Sequence, residues 1–75
     1  MFPNPVSAGE SFTITTGDVA INEIAIFDVQ GRKMMQRTLS NEYVFQTEIG
    51  NWSSGMYFVH IKNDVFQMVQ KLIVR

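Results

Sequence analysis

No cysteine occurs in the 75 residues, which excludes a disulfide framework and any thiolate metal site. A single histidine, His60, gives no basis for a His-rich zinc centre, and the residues call for no cofactor. No apolar run approaches the roughly 18 residues of a membrane span. The opening Met1-Phe2-Pro3 has neither the charged region nor the apolar core of a secretory leader. Charge is balanced as well: six Lys and Arg stand against seven Asp and Glu, for a net charge of -1. The cations are scattered, with only Arg32 and Lys33 adjacent, so the basic stripe that nucleic-acid binding calls for is missing. The lack of cysteine fits an oxidising compartment without establishing one.

What remains is a small apolar inventory that must hold one domain together. A chain of this length buries only roughly 60% of its unfolded surface. With no staple visible, the core has to come from six Phe, two Tyr, one Trp and the aliphatic residues. Self-association is therefore expected, through apolar residues such as Phe58, Phe66 and Ile73 that the alternation places on outer faces.

The dominant hydrophobic period is two, the signature of strands. Apolar and hydroxyl residues alternate in Ser11-Phe12-Thr13-Ile14-Thr15, as in a strand with one buried face. Residues 24–29 are apolar on both faces, the pattern of a central strand covered on both sides. A turn through Val29-Gln30-Gly31 follows, with glycine supplying positive φ, and residues 33–37 return. Tyr43, Phe45, Thr47 and Ile49 share a face of the next strand, and residues 50–55 are loop by composition. Residues 56–62 alternate again, with Tyr57, Val59 and Ile61 on one side and Phe58, His60 and Lys62 on the other. Asn63-Asp64 reads as a two-residue hairpin turn, and residues 65–75 as a long last strand bent or bulged near Gln70. Only residues 34–39 compete as a helix, and their hairpin context argues against it. The expected fold is a small immunoglobulin-like antiparallel β-sandwich of about seven strands.

Several short motifs stand out, each with a structural explanation. Pro3, Asn4 and Pro5 fix an extended entry, because proline cannot donate to a ladder. Asp28 accepts turn N–H groups and has Arg32 beside it as a charge partner. Gly55 takes a dihedral closed to other residues, and Tyr57 buries its ring while its hydroxyl finds a partner. Trp52 caps the thin core or lies exposed as a binding platform; the core's need for its largest side chain favours the cap. Lys71-Leu72-Ile73-Val74-Arg75 is an apolar strand bracketed by cations that block edge-to-edge aggregation. No nucleophile motif surrounds His60, so no Ser-His-Asp set is arguable. Glu10, Asp18, Glu23, Glu42, Glu48 and Asp64 fall near expected strand ends and turns, where they serve solubility rather than paired acid–base work. Catalysis is not expected.

Taken in order and spacing, Pro3-Asn4-Pro5-Val6, the run Ile24-Ala25-Ile26-Phe27-Asp28-Val29-Gln30-Gly31-Arg32, Ser53-Ser54-Gly55-Met56-Tyr57 and Lys71 to Arg75 resemble the type A C-terminal sorting domain of type IX (Por) secretion cargo. The resemblance covers nearly the whole chain; it departs at Phe27, where the family often has tyrosine. It implies a removable address on a larger parent protein exported by Gram-negative bacteria of the Bacteroidetes type. Residues 1–75 would be one sorting domain, with the parent's reading frame stopping after Arg75 and its passenger and Sec signal lying upstream. The parent would pass through the periplasm, and the domain would present itself to an outer-membrane translocon. A sortase-like protease would then cut upstream of it, leaving the passenger secreted or attached to the cell surface. Gly31, Arg32 and Lys71 to Arg75 are the residues this resemblance marks for recognition; Pro3, Asn4, Pro5, Asp28, Gly55 and Tyr57 are marked as structural. The other reading is a carbohydrate- or protein-binding sandwich appended to a secreted enzyme, with Trp52, Tyr43 and Phe58 as the candidate platform.

Overall fold

A computed structural model describes residues 5–15 and 20–75. Six strands form in chain order: β1 (Ser11–Thr15), β2 (Ile21–Asp28), β3 (Lys33–Glu42), β4 (Val44–Glu48), β5 (Gly55–Lys62) and β6 (Gln67–Val74). They make two antiparallel sheets, one of β1 and β4 and one ordered β3-β2-β5-β6. The expected all-β, two-sheet fold is present, with six strands among the described residues instead of about seven. The core fills the space between the sheets. Phe12 and Ile14 from β1 and Ile49 after β4 face Ile24, Ile26, Val59, Ile61, Leu72 and Val74, all essentially inaccessible to water.

Why each strand buries the face it does follows from its register. In β5, Tyr57, Val59 and Ile61 are buried while Met56, His60 and Lys62 are exposed, the strict alternation of a pleated strand. In β2 the alternation breaks, because Ile21 and Ile24 are both buried. Ile21 lies opposite Glu42 but Glu23 lies opposite Thr38, so β3 carries extra residues there. Asn41 among them adopts φ 52°, a conformation asparagine tolerates better than most residues. A second irregularity, between Ile26 and Phe27, lets the adjacent Met34 and Met35 both pack against the core.

Four expectations change. Residues 24–28 do lie in a strand flanked on both edges, yet only one face of it is covered. On the other, Ala25 and Phe27 are half-buried, and Phe27 meets the His60 ring edge-on at 4.8 Å. Tyr43 is not on the inner face of β4 but at the corner between β3 and β4, 50% exposed. The β5–β6 connection uses four residues, 63–66, instead of two. Asn63 closes it by accepting from Val65 N and Phe66 N at 2.8 and 2.9 Å and donating to Ala20 O at 2.9 Å, an Asx turn that needs no left-handed residue. Starting two residues later, β6 runs in unbroken register against β5, with no bulge at Gln70.

Candidate functional site

The β2–β3 turn is built around one carboxylate. Asp28, 8% exposed, accepts from Gln30 N at 2.9 Å and Arg32 N at 2.8 Å through Oδ1, and from Arg32 Nε at 2.7 Å through Oδ2. Its own N–H donates to Arg32 O at 2.9 Å, and Gly31 N donates to Asp28 O at 3.1 Å. Gly31 has φ 86°, and that left-handed step lets the chain reverse within reach of the carboxylate. Burial pushes the Asp28 pKa up, but the Arg32 and Gln30 hydrogen bonds and the guanidinium charge outweigh it and hold the carboxyl below its ordinary 3.8. The Arg32 side chain is 73% exposed. One guanidinium nitrogen is thus pinned on Asp28 while its two terminal nitrogens stay at the surface.

Next to this turn stands the entry to β5. Register places Asp28 opposite Tyr57, and Tyr57 opposite Leu72. The Tyr57 ring is buried and its hydroxyl donates to Ser53 O at 2.7 Å, which fixes the preceding loop. Trp52 packs on Tyr57 with ring centroids 5.1 Å apart, half-buried against the core; it is a cap. Gly55, at φ 150°, makes the sharp step into the strand that a side chain would strain.

The chain end completes the same end of the sheet. Gly55 lies opposite Val74, and Val6 bridges Val74 in parallel on the other side. Val6 N donates to Ile73 O at 2.8 Å, and Arg75 N donates to Val6 O at 2.9 Å. Val6 is fully buried, so the first described turn of chain is stitched to the last. Leu72 and Val74 point into the core, Ile73 is half-buried, and Lys71 and Arg75 are exposed. The five terminal residues therefore divide: two fill the interior, and the surface they offer comes chiefly from the two cations.

One end of the four-stranded sheet thus gathers Asp28, Gly31 and Arg32, Gly55 and Tyr57, and Leu72 to Arg75. Pro5 is exposed just before Val6, while Pro3, Asn4 and Asp18 lie outside the described residues. Between the β2–β3 turn and the 51–54 loop runs a groove of about 260 Å³, lined by Arg32, Met34, Trp52, Met56 and Tyr57 among others. Sequence reasoning missed this groove and the role of Val6. An apolar, β-branched residue directly after Pro5 was the one signal that Val6 enters the core.

Elsewhere the carboxylates stay apart. Glu23 sits within β2, not at a strand end, and binds Lys62 Nζ at 2.9 Å and Gln36 Nε2. These hydrogen bonds, Lys62 first, hold its pKa below 4.5. Glu10 accepts from Ser7 N at 2.9 Å, and Asn22 Nδ2 donates to Asp64 at 3.3 Å. Among the described residues no three His, Asp or Glu side chains gather where they would hold a metal ion. Trp52, Tyr43 and Phe58 form no shared platform: Trp52 packs in the groove on Tyr57, Tyr43 marks the β3–β4 corner, and Phe58 is on the outer face of β5.

A search of curated proteins finds no match to the chain. The family model described as the secretion system C-terminal sorting domain matches residues 1–75. Matched over that whole span, and with the motif residues meeting at one end of one sheet, the chain belongs to the family of type IX secretion C-terminal sorting domains.

Proposed function

We propose that the chain is the removable C-terminal address of a larger exported protein, and that the motif-bearing end of its four-stranded sheet is the surface the outer-membrane translocon reads. Family membership makes it a sorting signal on a secreted or cell-surface protein, in a family that is not one of enzymes. The finer picture is our reading. Residues 1–75 form one domain at the end of a parent whose passenger precedes it. The parent reaches the periplasm through a Sec signal, and the folded domain docks on the translocon. A sortase-like protease then cuts upstream of it. The domain acts as ligand and substrate of that machinery.

The observation that carries this reading is the convergence of separate sequence motifs at one end of one sheet. Core packing alone would account for Leu72, Val74 and Tyr57. It does not account for exposed Arg32, Lys71 and Arg75 standing on the same end of that sheet. The test replaces Lys71 and Arg75 with glutamine in the parent, leaving Leu72 and Val74 in place. Passenger should accumulate in the periplasm while the 75-residue chain stays folded, its melting temperature falling by at most roughly 15 °C, since exposed charges contribute about 0–1 kcal/mol each. Normal export of the double variant would refute the reading of the terminus as signal.

Pairing of two copies belongs to the same proposal. The outer face of the four-stranded sheet leaves Phe27, Phe58 and Ile73 half-buried and Val69 54% exposed, which supports self-association there. Sedimentation equilibrium over a range of concentrations checks it, with a strictly monomeric mass as the contrary result. No observation favours the glycan-binding alternative, because its three aromatic candidates form no platform.

A further inference from the structure

We infer that the groove between the β2–β3 turn and the 51–54 loop is a receptor for a carboxylate side chain, carried with apolar neighbours on an acidic segment of a partner protein. This deepens the export reading and rests on it for the occasion on which the partner is met; the chemistry of the groove is argued independently.

The first argument is the state of Arg32. Its Nε and backbone N–H are both committed to Asp28, at 2.7 and 2.8 Å, which fixes the plane of the guanidinium. The terminal nitrogens Nη1 and Nη2 remain for another partner, on a side chain 73% exposed. A guanidinium held along one edge loses little further freedom when its other edge takes a carboxylate. Asp28 and Arg32 form a pair of zero net charge, so the incoming anion meets little net repulsion there and is drawn by the Nη donors and by the other cations of that end.

The second argument is the distribution of charge over the four-stranded sheet. Among the described residues, the end that holds the groove carries the side chains of Arg32, Lys33, Lys71 and Arg75 against Asp28, with the α-carboxylate of Arg75 in the 75-residue chain offsetting one cation. The remainder of that sheet and its far turn carries Glu23, Glu42 and Asp64 with Arg37 and Lys62. A chain of net charge -1 thus has its cationic excess at the end of the sheet that holds the groove, and that excess steers an acidic partner to this end.

The third argument is the lining. Met34, Trp52 and Met56 give the groove an apolar wall beside the guanidinium, and methionine adapts to irregular apolar surfaces. A nucleic acid would call for a continuous basic stripe, and the volume of about 260 Å³ suits one or two side chains. Apolar wall and single guanidinium together describe a peptide site.

The test uses the 75-residue chain, the peptide acetyl-Glu-Leu-Glu-Leu-Glu-amide and its all-glutamine counterpart. Trp52, the one tryptophan, lines the groove and reports by fluorescence; the Arg32 Nε–H resonance reports by NMR. The acidic peptide should perturb both and the glutamine peptide neither. Arg32→Gln should weaken binding roughly tenfold or more. Arg32→Lys should weaken it nearly as much, because lysine cannot span Asp28 and the ligand together. About 0.5 M salt should weaken it strongly. Equal binding by Arg32→Gln, equal binding of the glutamine peptide, or silence of both signals would overturn the inference. Binding only to phosphatidylglycerol vesicles would also overturn it, in favour of a lipid surface. Export separates this inference from the broader reading. If the peptide binds as described while Arg32→Gln is exported normally, the groove stands and its use in export falls. If Arg32→Gln blocks export without any peptide binding, the address stands and the acidic partner falls.

Discussion

The two ends of the four-stranded sheet close their hairpins with the same device and different chemistry. At the β2–β3 turn, Asp28 Oδ1 accepts from Gln30 N and Arg32 N; at the β5–β6 turn, Asn63 Oδ1 accepts from Val65 N and Phe66 N. Either side chain ties the chain into a reversal, so reversal alone does not require a charge. Asparagine spends its amide on Ala20 O and brings no charge of its own, in a turn where Asp64 is the one charged residue and Val65 is 89% exposed. Aspartate instead binds a guanidinium, and it stands in one cross-strand row with Tyr57 and Leu72. At the far end the fixed cation, Lys62 on Glu23, is held across two strands. At the motif-bearing end the guanidinium is held within the turn itself, beside an apolar-walled groove.

The largest expected difference between the ends lies in packing along β6. Leu72 is fully buried at the motif-bearing end, while Met68, on the same inward face, is only half-buried. Leu72→Ala should cost about 2–5 kcal/mol, a large share of the roughly 4–11 kcal/mol expected of a domain this size. Met68→Ala should cost under about 2 kcal/mol. Thermal unfolding of the two variants measures the contrast, and equal losses would erase it.

Acid should separate the ends next. Asp28 and Glu23 both have carboxyls held below their ordinary values of 3.8 and 4.5. A carboxyl with a depressed folded-state pKa adds stability that is fully present above its unfolded value and is lost as pH falls through the folded one. Melting temperature should therefore hold steady through neutrality and fall as pH drops below the 3.8–4.5 range. Asp28→Asn and Glu23→Gln should each flatten part of that fall. High salt should weaken the Glu23 part more, since the Glu23 and Lys62 side chains are 25% and 54% exposed, whereas the Asp28 side chain is 10% exposed and also accepts from two backbone N–H groups. A salt response of equal size in the two variants would mean that Asp28 is a surface ion pair like the other.

The smallest effect concerns glycine. Gly31 has φ 86°, and beyond its own chain neighbours no atom lies within 4 Å of the place a methyl group on its Cα would occupy, so Gly31→Ala meets conformational strain without a tertiary clash. The cost should be about 1–2 kcal/mol, with groove binding and export retained wherever the chain is folded. Loss of export in a folded Gly31→Ala chain would show that the backbone of the turn is itself read.

How much of this was legible in the sequence depended on the range of the interaction. Period two exposed the buried faces of β1 and β5, because each residue's side is set by its neighbours two apart. The Asp28 turn was legible for the same reason, since Asp28, Gly31 and Arg32 interact within five residues of chain. The break between Ile21 and Ile24 was not, because a bulge arises from the residues β3 places opposite. A turn at Asn63-Asp64 was legible as well, through bonds as local as those of Asp28; its four-residue length and its anchor on Ala20 O, far upstream in sequence, were not. Val6 against Val74, and the groove between two loops, are products of tertiary closure that no local pattern encodes. Lys71 to Arg75 stands out in the sequence as a unit, yet only the structure divides it into core side chains and surface cations.

The central claim is that one end of the sheet is the address and the other is not. It is tested most directly by removing equal charge from each. Arg32→Gln with Arg75→Gln removes two cations from the motif-bearing end; Arg37→Gln with Lys62→Gln removes two elsewhere on the same sheet. The measurement is the fraction of passenger reaching the outside of the cell, with each variant domain's melting temperature as the control for folding. The account predicts that the first pair strands the passenger in the periplasm and the second pair exports it as the unaltered parent does. Equal export by both pairs, or equal failure with both domains folded, would contradict it.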